Sequence, residues 1–230
     1  MSKASGGMSE ALPPAEDGLM AEVAGWIDQE GASAFSLVPR ADDALKARLA
    51  LIDSAVSSLD IKYFIWKGDE SSRLVMARLL EAAQRGVRVR ILIDDLNLVA
   101  TDEELAAIDK HDNVAICVYN PAQRRSLVGT LLDYAESFDD MNKRMHNKMI
   151  LADGRVALLG GRNIANEYFG LTNKYNFLDL DVIVAGPVVA EVGEAFDEYW
   201  NTDLAVAAVD GAPGVDAADL GELVAQERAF

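Results

Sequence analysis

Cysteine occurs once in the 230 residues, at Cys117, which excludes a disulfide framework and a cysteine-rich metal site. Long apolar runs are also missing. The longest uncharged stretches, such as Val182 to Ala190, reach about half of the ~20 residues a membrane-spanning helix needs. The opening MSKASGGMSEALPPAEDG has one lysine and no apolar core, so it does not read as a secretory signal, and a cytoplasmic or peripherally membrane-associated protein is expected. Basic residues are in short supply, 21 Lys and Arg against 38 Asp and Glu, a net charge of −17. That balance disfavours a nucleic-acid partner, because neutralising phosphates needs a concentrated basic surface. Half the residues are hydrophobic, enough for a packed core and too many for a disordered acidic chain.

The negative charge is concentrated at the two ends. Residues 1–33 hold six acids against Lys3, and residues 203–230 hold six against Arg228. The expected organisation is therefore an acidic N-terminal extension over 1–33, one domain over 34–203, and an acidic tail or linker over 204–230. Inside the domain the sign reverses locally: Lys143, Arg144, Lys148, Arg155 and Arg162 face only Asp153.

Strand-like and helix-like segments alternate through the domain. Ala34–Val38, Leu59–Trp66, Val87–Ile93, Val114–Tyr119, Met145–Leu151, Val156–Leu159 and Leu180–Ala185 read as strands. Helices are expected after Asp42-Asp43, from a Ser71-Ser72 cap to Gly86, from Asp102 to His111, and from Val188 to Trp200. Asp94-Asp95 reads as a strand end. The pattern predicts an α/β fold with a central sheet flanked by helices. Tyr63, Phe64 and Trp66 read as core or rim packing, with lining of a lipid cleft as the alternative; Trp26, Tyr199 and Trp200 read as packing anchors. Arg124-Arg125 reads equally as a solvated loop or an attractor of anionic head groups.

The richest segment is Met145 to Asn163. Asp153-Gly154 between two alternating apolar runs is a strong hairpin signal. A two-residue turn there sets Ala152 against Arg155, Gly161 against His146 and Asn163 against Arg144. One face then offers an imidazole, an ammonium from Lys148, a carboxamide and a gap at Gly161, which together suit a phosphate. Asp153 lies about 17 Å along the strand from Lys148, so its expected job is structural, capping the turn or pairing with a basic group.

His146-x-Lys148, then Asp153, then Gly160-Gly161-Arg162-Asn163 matches the HxK(x)4D(x)6G[GS]xN motif of the phospholipase D superfamily. The flanks LALIDSAVSSLDIKYFIW, GVRVRILIDD and DLDVIVAGPVVAEVGEAFDEYWN resemble the N-terminal half of bacterial cardiolipin-synthase-type enzymes, nearest those using phosphatidylethanolamine as co-substrate. The resemblance covers roughly Phe35 to Asn201. It implies an α-β-α sandwich with a central mixed sheet, a phospholipid substrate at a membrane surface, and no metal or cofactor. It implies His146 as a nucleophile forming a phosphohistidine, with Lys148 and Asn163 holding the non-bridging oxygens. An acid orients such a histidine; the candidates are Asp181, taken first, Asp179 and Glu167. A second motif histidine protonates the leaving alcohol and then activates the acceptor. His111, in DKHDN with no lysine two residues on, does not qualify. The second motif is expected from a dimer partner or from a missing C-terminal half, family similarity favouring the latter. The alternatives are a single-motif, metal-independent nuclease dimer, which the net charge disfavours, and an inactive half-protein.

Overall fold

The computed structural model describes residues 8–28, 31–98, 111–121 and 144–208. The helix expected over 102–111 and the Arg124-Arg125 pair lie, wholly or almost wholly, outside these residues. Eight strands form one mixed sheet: β1 (Ala34–Val38), β2 (Ser58–Trp66), β3 (Arg88–Leu98), β4 (Val114–Tyr119), β5 (Met149–Ala152), β6 (Val156–Gly160), β7 (Asp181–Ala185) and β8 (Ala205–Ala207). Their order is β1-β7-β6-β5-β2-β3-β4-β8. β2, β3 and β4 run parallel, and every other neighbouring pair is antiparallel.

Helices cover both faces. α1 (Gly18–Asp28), α2 (Ala41–Ser54) and α3 (Glu70–Gln84) lie on one side, where Leu51, Ile52, Val75 and Leu79 pack on Leu59, Ile61, Ile91, Ile150 and Leu158. α4 (Val188–Trp200) covers the other, with Phe196 and Trp200 against Leu92, Met149, Leu151 and Val184. β2 is buried along most of its length because it lies mid-sheet, between β5 and β3. The α/β sandwich with a mixed central sheet expected from the sequence is the observed architecture.

Several local expectations are revised. α3 is capped by Asp69, whose carboxylate accepts from the Ser72 amide and from both the Ser71 and Ser72 hydroxyls, so the serines lie inside the first turn. β3 continues through Asp94-Asp95 to Leu98. Trp26 is 72 % exposed among the described residues, unlike the packing anchor expected, whereas Trp200 is buried. Residues 8–28 pack onto the domain, with Met20 and Ala24 buried, and β8 adds an edge strand beyond 203, so the folded unit exceeds the expected bounds of 34 and 203.

The hairpin register also differs. Asp153 (φ 56°) and Gly154 (φ 63°) do turn the chain, and the Arg155 amide donates to Ala152 O at 3.0 Å. Ala152 nevertheless pairs with Val156 and Met149 with Leu159, one residue out from a two-residue loop. Arg155 leaves the ladder because its Nε donates to the Ala15 carbonyl, while the Ala15 amide donates to Asp153 O. The shift places Lys148 against Gly160, and β5 begins only at Met149, after His146 and Lys148.

Asp153 is fully buried and accepts from the Val56, Ser57 and Ser58 amides at 2.7–3.1 Å. Its partners are backbone donors in the α2–β2 connection, not the basic side chain considered from the sequence. Asp153→Ala is expected to cost about 2–4 kcal/mol in a denaturant melt by orphaning these donors, and Asp153→Asn, which keeps one acceptor, distinctly less.

Candidate active site

The motif side chains gather where β2 ends. Asp94, buried on β3, accepts from the Met145 amide at 3.0 Å and from Arg144 Nη1 at 3.3 Å, fixing the chain just before His146. The imidazole of His146 is exposed and its ring lies 4.8 Å from that of Phe64. Lys148 is buried. Its Nζ donates to the His146 carbonyl and stands 5.3 Å from the Phe64 ring centre, and burial holds its pKa below the usual lysine range.

Asn163 reaches the same place from β6. Its Oδ1 accepts from the Ile65 amide at 3.0 Å and its Nδ2 donates to Tyr168 OH at 2.9 Å. Backbone bonds between Ile65, Ile164 and Lys67 hold this segment against the end of β2. The neighbouring residues Phe64 and Ile65 therefore bring His146, Lys148 and Asn163 together. Tyr63 and Trp66, which flank them, pack edge-to-face in the core.

The acids take different places. Asp181 is buried and its Oδ2 accepts from Arg48 Nη1 at 2.9 Å and Arg162 Nη1 at 3.2 Å, while the Arg162 amide donates to Oδ1 at 3.4 Å. Among the described residues no hydrogen bond joins it to His146. The expectation that Asp181 orients the histidine gives way to a pairing with two buried arginines. Glu167 is engaged by Lys67. Asp179, half-buried, is the acid whose charge acts on Lys148.

The two glycines follow from these acids. A methyl on Gly160 would collide with the Asp181 carboxylate, and one on Gly161 with that of Asp179. The space at Gly161, read from the sequence as room for a phosphate, is taken by the Asp179 carboxylate. His111 sits at the start of β4, the end of the sheet where Asp153 turns, and is remote from the motif. The arginines of the basic stretch are spent internally: Arg162 on Asp181, Arg155 on Ala15 and Asp28, Arg144 on Asp94.

Residues 49–200 match the family model described as cardiolipin synthase, PLD-like domain. The chain belongs to this phospholipase D-like family. Cardiolipin synthase C of Escherichia coli is 45% identical over 158 residues, covering 69% of this chain and 33% of that protein. The chain thus spans about a third of the length of the curated relatives it matches. Among solved structures, the phospholipase D family member Nuc from Salmonella typhimurium superposes with a TM-score of 0.53 at 18% identity, over 76% of this chain and 97% of that one. The phosphatidylserine synthase of Haemophilus influenzae gives 0.56 at 16% identity, over 85% and 43%. At such identities the superpositions show the phospholipase D-like fold. Among the described residues no helix is long and apolar enough to cross a membrane.

Sequence reading of this phospholipase D-like domain missed Asp94, Arg48 and Lys62. Asp94 carried a weak signal as a carboxylate at the end of an apolar strand. Arg48 and Lys62 carried a better one: each is a single cation among apolar neighbours, in ARLALI and IKYFIW.

The two acids are separable by mutation. Asp181→Ala leaves two buried guanidinium groups without their carboxylate and is expected to cost about 3–5 kcal/mol in a denaturant melt. Asp179→Ala, at a half-exposed position, is expected to change the midpoint little.

Proposed function

We propose that this domain supplies half of a phosphodiester-exchanging active site that moves a phosphatidyl group to a glycerol hydroxyl in phospholipid synthesis. The observation that carries the reading is the convergence of His146, Lys148 and Asn163 at the end of β2, in a chain of the cardiolipin synthase-type family. The first substrate is the phosphate of a phospholipid, met at the membrane surface by a peripherally bound protein.

His146 attacks phosphorus. The new N–P bond forms as the P–O bond to the leaving alcohol breaks, giving a phosphohistidine. The acceptor hydroxyl then attacks the same phosphorus and returns the imidazole. Lys148 and Asn163 meet the non-bridging oxygens as charge builds on them in each transition state. The Asn163 Nδ2 now on Tyr168 OH is the donor available for this, and the buried Lys148 ammonium the cation. Asp179 is the acid placed to steady this group, because Asp181 and Glu167 are already paired. Asp153 and Gly160 act at a distance, the one holding the hairpin, the other admitting Asp181.

Protonating the leaving alcohol requires a second histidine. His111 lies at the other end of the sheet, so that group comes from a second motif, on another copy of this chain or on a companion half. The chemistry uses the protein's own groups and takes no metal.

The test is cardiolipin formation from phosphatidylglycerol, with and without phosphatidylethanolamine, by the purified chain in its associated state and with chelator present. His146→Ala is expected to lower the rate by about 10³ or more, with chelator having no effect. A His146→Ala rate within about tenfold of the parent would reject the proposal.

A further inference from the structure

The buried arginines and the buried lysines of this domain are treated differently. Arg48 and Arg162 meet Asp181, and Arg90 meets Asp60 at 2.6 Å and Asp197 at 2.7 Å. Lys62, on β2 and 1 % exposed, meets no carboxylate within 4 Å among the described residues. Its Nζ reaches only the Ala195 carbonyl, at 3.4 Å, and lies 4.1 Å from the centre of the Tyr199 ring. Lys148, 5 % exposed, meets the His146 carbonyl and the Phe64 face and, among the described residues, no carboxylate within 4 Å, Asp179 acting on it from farther off.

Both lysines line one cleft of about 380 Å³ between α4 and the β5–β6 hairpin. Its walls are apolar, from Met149, Leu159, Val188 and Val192, and Asn147 and Glu191 stand with them. Burial pushes the Lys62 ammonium down to about 8, against the opposing pull of Glu198. It still carries its proton at neutral pH. Glu191 and Glu198 are exposed and solvated, so they do not replace a counter-ion in the cleft. A desolvated cation without a partner is unfavourable, and an open cleft allows a ligand to supply the missing charge.

We propose that this cleft is a second phosphoester subsite, in which Lys62 holds the phosphate of the acceptor phospholipid beside the phosphate that reacts at His146. The apolar walls take the first part of that lipid's chain, and the acceptor's glycerol hydroxyl is kept next to the phosphohistidine. The proposal rests on the phosphatidyl-transfer reading for its choice of lipid, but the subsite can be observed without turnover. A bound acceptor phosphate also gives the domain a means to favour transfer over hydrolysis, since water needs no such subsite.

The experiment is NMR on the full chain with lysines carrying carbon-13 at Cε. Lys62 and Lys148 are assigned from Lys62→Met and Lys148→Met, and the probes are inorganic phosphate and a short-chain phosphatidylglycerol kept monomeric. The Lys62 signal is expected to move with both probes, at about tenfold lower concentration with the lipid because of the apolar walls. Its titration midpoint is expected to rise when either is bound, since an anion favours the charged form. A Lys62 signal unmoved by the lipid, or moved no more readily by lipid than by inorganic phosphate, overturns the proposal even if Lys148 responds. A Lys148 signal that stays still while Lys62 moves leaves the subsite standing and counts against the catalytic reading instead.

Discussion

The placement of the site depends on one buried carboxylate. Asp181 opens β7 and receives both Arg48 from α2 and Arg162 from the segment that follows β6. Arg162 continues outward to the carbonyls of Val38, Pro39 and Asp179, tying in the end of β1 and the chain before β7. Arg48 turns its Nε to Tyr63 OH on β2. Four strands and a helix thus converge on a single charge cluster below the motif. Gly160 is glycine because Asp181 occupies the volume a side chain would need. Removing one member of such a cluster strands charge in the interior, so its members hold their elements together as a set.

Above this cluster the site is assembled from neighbours that are distant in sequence. Phe64 and Ile65 meet His146 and Asn163, while Asp94 receives the chain that leads into the motif. The two ends of the hairpin are held separately. Asp153 fixes the turn through three amides of the α2–β2 connection, and Asn163 fixes the far end through Ile65. A net charge of −17 is compatible with phosphate chemistry because charges are local. Asp60, Asp94 and Asp181 in the core are matched to arginines, Asp153 to backbone amides, and two lysines are left to face the cleft.

Much of the fold was legible because its signals are short-range. The alternation in LDIKYFIW and VAICVY marked β2 and β4, and the motif spacing marked the turn at Asp153 and the glycine pair. The errors came from long-range contacts. Nothing near Arg155 in sequence announces Ala15, yet that contact takes Arg155 out of the ladder and moves the register by one. Asp181 and Asp179 sit two apart, and the preference for Asp181 as the histidine's partner could not foresee Arg48 and Arg162, which claim it. The capping serines misled because Asp69, just upstream, is the better acceptor for the first turn.

The central claim is that His146 is the nucleophile of a shared phosphatidyl-transfer site. The most direct measurement quenches the associated protein during turnover with a phosphorus-labelled phosphatidyl donor, then maps the label after proteolysis. The account predicts an acid-labile, alkali-stable phosphoryl linkage on the peptide containing His146. Product formation with no label on that peptide, or with label on another residue, would contradict it.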